Sequence, residues 1–224
     1  MIARRLILAF AALLAACSQT VTATERPVKA PLAEVRANEP RGLKQAIFAG
    51  GCYWGVEGVF SHVPGVTSAV SGFHGGTRAD ADYDRVSAGS TAHAEAVRVT
   101  YDPAVVRYDQ LLRVFFSVIT DPTQLNRQGP DTGTQYRSAL VPLSPEQQRV
   151  AAAYLAQLRA SGLWKKPLVT RIERYHRFYP GPAYHQDFML KNPRHGYILA
   201  WDVAKVSALK RLLPEHYQRD FTAD

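Results

Sequence analysis

Cys52 stands in the stretch Ala-Gly-Gly-Cys-Tyr-Trp-Gly-Val-Glu, residues 49–57, between two glycines and two aromatic rings. Such a cysteine can be a small buried hydrophobe, a metal ligand, half of a disulfide or a nucleophile. The reactive form is the thiolate, and its pKa falls at a helix N-terminus, where unpaired N–H groups and the helix dipole favour negative charge. Cys52 lies where a short apolar run gives way to a helical pattern, which is that place. Gly50 and Gly51 allow a tight turn and leave the sulfur unobstructed. Position alone leaves a functional thiol and a buried structural one equally open. Tyr53 and Trp54 could both be core residues, but consecutive helical residues point about 100° apart. At least one ring is therefore expected beside the sulfur.

Glu95 is the second informative position. In "AHAEAVRVTYD" the residues Glu95, Val97, Val99 and Tyr101 share one strand face, while Ala94, Ala96, Arg98 and Thr100 share the other. A carboxyl on an apolar face is desolvated, which raises its pKa and favours the neutral acid, a proton donor. The bland alternative is a frayed strand start that reaches water. His93-Ala94-Glu95 also matches the H-x-E of zinc deaminases, but the P-C-x-x-C that completes that metal site does not occur in the chain. The loop at 121–139, "DPTQLNRQGPDTGTQYRSA", is long and polar and carries Asp131, Gln135 and Tyr136. Loops of this length often belong to a site.

Several elements must position these residues. "KQAIFAG" reads as a strand feeding the helix "CYWGVEGVFSHV", and "GVTSAVSGFHGG" reads as a second strand. "YDQLLRVFFSVI" is a crossover helix ended by Asp121-Pro122, and "YRSALVPL" is a further strand. The helix "SPEQQRVAAAYLAQLRASG" is fully signalled, with Ser144 as N-cap, Pro145 in the first turn, Gln147 closing a capping box and Gly162 beyond the end. "PLVTRIERY" alternates as another strand. Strands and helices interleave without repeat, so one α+β domain is expected, a mixed β-sheet with packed helices.

Composition agrees with a globular chain of 224 residues, 46% hydrophobic and 21% charged. The N-terminus has Arg4 and Arg5, then an apolar run from Leu6 to Ala16 too short to span a membrane comfortably. It reads as a signal peptide, residues 1–16. Its ending, Leu14-Ala15-Ala16-Cys17, resembles the bacterial lipobox, in which the cysteine after the cut is lipidated; a plain secretory signal cut elsewhere is the alternative. The expected location is the cell envelope or periplasm, lipid-anchored through Cys17. A lipidated Cys17 cannot pair with Cys52, which leaves the domain one cysteine and excludes thiolate-rich zinc sites. Residues 17–43, with Pro27, Pro31 and Pro40 and no apolar period, read as a flexible tether. The domain is expected over 44–200, followed by a helical tail over 201–224. Net charge is +8, or +6 without Arg4 and Arg5, and it is spread without a dense stripe, so nucleic acid is not an expected partner.

Taken together, "GCYWGVE", "TAHAEAVRVTYDP", "DPTQLNRQGPDTGTQYRSA" and "YHQDF" resemble the A-type peptide methionine sulfoxide reductases in order and spacing. The resemblance spans roughly residues 44–197. It implies a ferredoxin-like α/β sandwich and a reaction in which Cys52 attacks the sulfur of methionine sulfoxide while Glu95 protonates the oxygen. Methionine leaves and Cys52 becomes a sulfenic acid. The resemblance further implies that Tyr53 and Trp54 hold the substrate methyl, with Tyr53 in place of the commoner Phe. Tyr83 and Tyr136 match tyrosines that hydrogen-bond the oxygen, and Asp131 matches an acid on the polar side of the pocket. The family takes the S epimer and uses no cofactor.

Many members resolve the sulfenic acid with a further cysteine near the C-terminus, and this tail has none. The chain thus resembles single-cysteine members. Its expected partners are oxidised proteins or peptides and an external thiol, either a thioredoxin-like protein or a small thiol, acting on a monomer. A binding module with a repurposed pocket would not need both Cys52 and Glu95. A thiol peroxidase would not need a methyl cage.

Overall fold

The computed structural model describes residues 26–224. The apolar run "KQAIFAG" is β1 (Lys44–Gly50), buried over its last five residues. It leads into α1 (Tyr53–Phe60), β2 (Val66–His74), α2 (Tyr83–Ser87) and β3 (Ala94–Tyr101). α3 (Tyr108–Val114) runs on into a π-helical turn, Phe115–Ile119. A short ribbon, β4 (Arg127–Gln128) with β5 (Asp131–Thr132), gives structure to the long polar loop. β6 (Ser138–Val141) and α4 (Pro145–Ala160) follow, then the two short strands β7 (Arg171–Ile172) and β8 (Phe178–Pro180). Helices α5 (Phe188–Lys191) and α6 (Val203–Leu212) lie beyond them.

The main sheet runs β7-β6-β1-β3-β2-β8. Its pairs are antiparallel except β6 with β7, so the sheet is mixed. The four central strands stand fourth, first, third, second in chain order, the arrangement of a ferredoxin-like split βαβ. This is the expected α+β class. Phe48 of β1 joins the sheet to both crossover helices: its ring centroid lies 4.7 Å from Phe60, 5.4 Å from Phe115 and 6.0 Å from Tyr108. β3 alternates as expected, with Val97, Val99 and Tyr101 in this large core. Its other face is covered too, because Ala94 and Ala96 pack with Ile47, Ala139, Val141 and Phe178.

Local differences have identifiable causes. Ser144 Oγ accepts from Gln147 N at 3.1 Å, as an N-cap should, and Gly162 takes a positive φ of 64°. The Gln147 side chain does not close a box on Ser144. It accepts from Leu143 N at 2.8 Å and donates to Gln45 O at 2.9 Å, tying α4 to β1. The expected strand in "PLVTRIERY" shrinks to Arg171–Ile172, because it has only β6 to pair with and Glu173 turns aside to Arg137.

Two expected boundaries change. The signal, Cys17 and the first part of the tether lie outside the described residues. Over 26–43, however, the chain is docked rather than free. Val28 N donates to Ser117 O, Ala37 N to Asp109 Oδ1, and Tyr154 OH to Pro31 O, at 2.9, 2.9 and 2.7 Å. Ala30 is fully buried. The segment after residue 200 is likewise part of the domain and not an appended tail: Ala208, Leu209 and Leu213 join the main core. Gln218 N and Thr222 N bond to the carbonyls of His62 and Ser61 at the end of α1. Among the described residues no helix is long and apolar enough to cross a membrane.

Candidate active site

Cys52 is the N-cap of α1, at the strand-to-helix junction where the sequence put it. Gly51 takes φ +100°, and a Cβ there would come within 2.6 Å of Gln128 Cβ. At Gly50 a Cβ would come within 2.7 Å of the Phe115 ring. The first glycine permits close packing on the π-helical turn, and the second makes the turn itself.

Sheet register delivers the acid. Glu95 pairs with Phe73 of β2, and β3 runs antiparallel to β1, so the start of β3 lies beside the end of β1. Glu95 is 2% exposed, and its Oε2 accepts from Tyr53 N at 3.0 Å. The carboxyl thus satisfies a backbone donor of the helix turn that follows Cys52. The alternative of a frayed, hydrated Glu95 does not hold. Burial pushes this carboxyl up to about 8, against the pull of the Tyr53 amide, and Asp131 adds to the rise. At neutral pH Glu95 is mostly the neutral acid.

The thiol departs from expectation. Burial first, then the negative field of Glu95, Asp202 and Asp131, pushes Cys52 well above its ordinary value, with the Trp54 amide acting the other way. The helix terminus does not prevail here, and the resting group is a thiol.

Both rings after Cys52 are anchored by His185. Tyr53 OH lies 2.6 Å from His185 Nδ1, and Trp54 Nε1 lies 3.1 Å from the same nitrogen. An indole N–H can only donate, so Nδ1 is the acceptor and the network assigns the ring proton to Nε2. Burial pushes His185 down, in keeping with a neutral ring. The hydroxyl that distinguishes Tyr53 from phenylalanine has found a partner. Tyr53 is 1% exposed and packs on Phe73, whereas the half-buried Trp54 stacks on Phe188 with centroids 3.8 Å apart and planes within 7°.

The remaining expected residues converge. Asp82 caps α2 by accepting from Arg85 N, which sets Tyr83 at the helix start. Gln135 Nε2 donates to Ser87 O at 2.8 Å, tying the Tyr136 loop to α2. Burial and then Glu95 push Tyr83 up to about 12 and Tyr136 higher still, with Cys52 contributing to both. Asp131 accepts a short hydrogen bond from Tyr197 OH, so its nearest polar partner is a tyrosine absent from the sequence reading.

His185, Phe188, Tyr197, Asp202 and Lys205 were not singled out by the sequence. The "YHQDF" motif contains the first two, and that is the signal that could have found them. Tyr197 and Asp202 leave no local trace. Among the described residues no cluster of His, Cys, Asp and Glu could hold a metal ion, and Cys52 is unpaired as a thiol.

A buried neutral acid hydrogen-bonded beside a thiol, with two tyrosine hydroxyls and an anchored aromatic pair, can attack an electrophilic atom while protonating its neighbour. Known proteins share this arrangement's sequence and fold. The peptide methionine sulfoxide reductase family matches residues 44–216. The peptide methionine sulfoxide reductase MsrA 2 of Mesorhizobium japonicum is 53% identical over 176 residues, 79% of this chain and 90% of that one. The MsrA of Deinococcus radiodurans is 48% identical over 168 residues, 75% and 81% of the two chains. Among solved structures, reduced Mxr1 of Saccharomyces cerevisiae has a TM-score of 0.62 at 30% identity, covering 84% of this chain and 98% of its own. Methionine sulfoxide reductase A of Corynebacterium diphtheriae has a TM-score of 0.59 at 33% identity, covering 77% and 85%. With the family matched across the whole sheet and its helices, and relatives about half identical over that span, this chain belongs to the peptide methionine sulfoxide reductases.

Proposed function

We propose that this protein repairs oxidised methionine by reducing the S epimer of methionine sulfoxide, free or in proteins, through a Cys52 sulfenic acid. The observation that carries this reading is the 3.0 Å bond from Tyr53 N to Glu95, which seats a buried neutral acid beside the N-cap thiol. The sulfoxide oxygen leaves only when protonated, so nucleophile and acid must reach adjacent atoms. As Cys52 sulfur bonds to the substrate sulfur, Glu95 gives its proton to the oxygen. The hydroxyl then passes from the substrate sulfur to the Cys52 sulfur as the S–S bond breaks, so methionine departs reduced, Cys52 is left as S–OH, and the thiol proton goes to Glu95.

Tyr83 and Tyr136 donate to the sulfoxide oxygen, and Tyr53 and Trp54 enclose the methyl. Asp131 acts at one remove, by fixing Tyr197. Substituents on opposite sides of the sulfur then admit one configuration.

Recovery consumes two external thiols. The first displaces water from the sulfenic acid and forms a mixed disulfide, and the second releases Cys52 and leaves as part of an external disulfide. A thioredoxin-like protein or a small thiol fills this role. The N-terminal lipobox supports export and a lipid anchor on Cys17, with oxidised envelope proteins as substrates.

A stereospecific assay on a sulfoxide peptide with dithiothreitol tests the reading. Cys52→Ser should abolish turnover, and Glu95→Gln should lower kcat about 10²–10⁴-fold with little change in KM. A Glu95→Gln variant at full rate would remove the acid from the mechanism. Counting thiols after one equivalent of substrate without reductant should find no intramolecular disulfide.

A further inference from the structure

The C-terminal segment brings a cation to the site. Asp202, at the end of a π-helical turn, is fully buried, and Lys205 in the first turn of α6 is 5% exposed, its Nζ 3.8 Å from Asp202 Oδ1. Both side chains lie against Gly55. A Cβ at Gly55 would come within 2.2 Å of Asp202 Oδ1 and 3.4 Å of Lys205 Cδ. Gly55 is three residues beyond Cys52, so the pair occupies the face of α1 that carries the sulfur. Asp131, bonded to the Tyr197 hydroxyl, is pushed up by burial and pulled back by that hydroxyl and by the Lys205 ammonium.

Three carboxyl groups thus act on the thiol, and each opposes its ionisation when it is itself ionised. Glu95 avoids this by remaining a neutral acid. Lys205 lies beside Asp202 and its charge acts on Asp131 as well.

We propose that Lys205 is a positioning residue for sulfoxide reduction: its ammonium, seated beside Asp202 against Gly55 of α1, offsets the carboxylate charge around the site and lets Cys52 reach the thiolate as substrate arrives. The proposal rests on the reductase reading for its purpose, but not for its test. Lys205 neither gains nor loses a proton in the cycle. It sets the field in which the thiol does. The titratable groups facing Cys52 are Glu95 of β3, Asp131 of β5, Asp202 before α6, and Tyr53, Tyr83, Tyr136 and Tyr197. All four tyrosines are pushed upward and stay neutral through the working range.

The test compares the full chain with Lys205→Met, Lys205→Arg and the double variant Asp202→Asn/Lys205→Met. The readouts are the pH profile of iodoacetamide alkylation, scored by mass spectrometry on the Cys52 peptide, and kcat and KM on a sulfoxide peptide. Lys205→Met should slow alkylation at about pH 8 roughly tenfold, equivalent to a shift of about one pH unit, and lower kcat more than KM. Lys205→Arg should stay close to wild type.

The double variant should recover most of the alkylation rate, because it removes one charge of each sign. A purely structural lysine predicts the reverse, with the double variant at least as impaired as the single. A wild-type profile for Lys205→Met, or a double variant no faster than the single, overturns the proposal. If Lys205→Met does not fold, the double variant against Lys205→Arg decides: comparable profiles support the charge role, and a tenfold slower double variant refutes it. Alkylation needs no sulfoxide, so a wild-type chain that alkylates as expected yet reduces no sulfoxide would remove the reductase reading alone.

Discussion

Replacing His185 by leucine withdraws the ring nitrogen to which Tyr53 and Trp54 both donate. The two donors differ in what they lose. Tyr53 is 1% exposed, so its hydroxyl is left buried without its 2.6 Å partner, at a cost of about 1–3 kcal/mol. Trp54 is only half-buried, and its N–H can turn towards water, so its loss is about 0.5–1.5 kcal/mol. Leucine refills much of the ring's volume, which keeps the cavity contribution small. His185→Leu is therefore expected to cost about 1.5–4.5 kcal/mol in urea unfolding, with KM for a sulfoxide peptide rising more than kcat falls. Adding Tyr53→Phe removes the stranded hydroxyl, so the double variant should be more stable than His185→Leu by about 1 kcal/mol. A His185→Leu variant within about 0.5 kcal/mol of wild type, or a double variant no more stable than the single, would refute the shared-acceptor argument.

The same geometry fixes a pH dependence. Protonated His185 carries hydrogen on Nδ1 and can accept from neither ring. Burial holds its folded value below the ordinary 6.5, so the unfolded chain takes up this proton first. The contribution of His185 is complete above about 6.5 and is lost as pH falls through the lower folded value. The wild-type minus His185→Leu stability difference should shrink on acidification below about pH 6.5.

Glu57 and Glu95 give the opposite slope: burial pushes each carboxyl from 4.5 up to about 8, so the folded state binds more protons between those values. Their contribution weakens as pH rises through that window, by up to about 1.4 kcal/mol per pH unit per group; Glu57→Gln should flatten urea midpoints measured from pH 5 to 8, and an unchanged slope would contradict the assignment. Gly51→Ala combines a φ of +100° with a Cβ 2.6 Å from Gln128 Cβ, and should cost about 1–3 kcal/mol in a thermal melt while displacing Cys52 and lowering kcat. Asp109→Ala removes the acceptor of Ala37 N and should speed proteolytic cleavage within residues 26–43 without changing kcat; equal cleavage rates would mean that the arm is held elsewhere.

Cys52 and Glu95 were legible in the sequence because each breaks a local pattern, a cysteine at a strand-to-helix junction and a carboxylate on an apolar strand face. Five strands of the main sheet were legible from apolar or alternating runs, whereas β8, three residues long, was not. The docking of residues 26–43 was not, because it runs through single backbone groups bonded to Ser117, Asp109 and Tyr154, which imposes no apolar period. His185 and Asp202 act across more than 130 residues of chain, in segments too short to have a period.

The thiol shows most directly why local reading stops short. A helix terminus is worth about 0.3–1 kcal/mol to a nearby charge, less than one pKa unit, whereas burial alone can move a group by up to 3–5 units. Three carboxyls around Cys52 add to burial, so the larger effect wins and the resting state is the thiol. In this setting Cys52 does not rest as a ready thiolate. The role proposed for Lys205 is to let one form as substrate enters, offsetting the charge of Asp202 beside it while Glu95 stays a neutral acid.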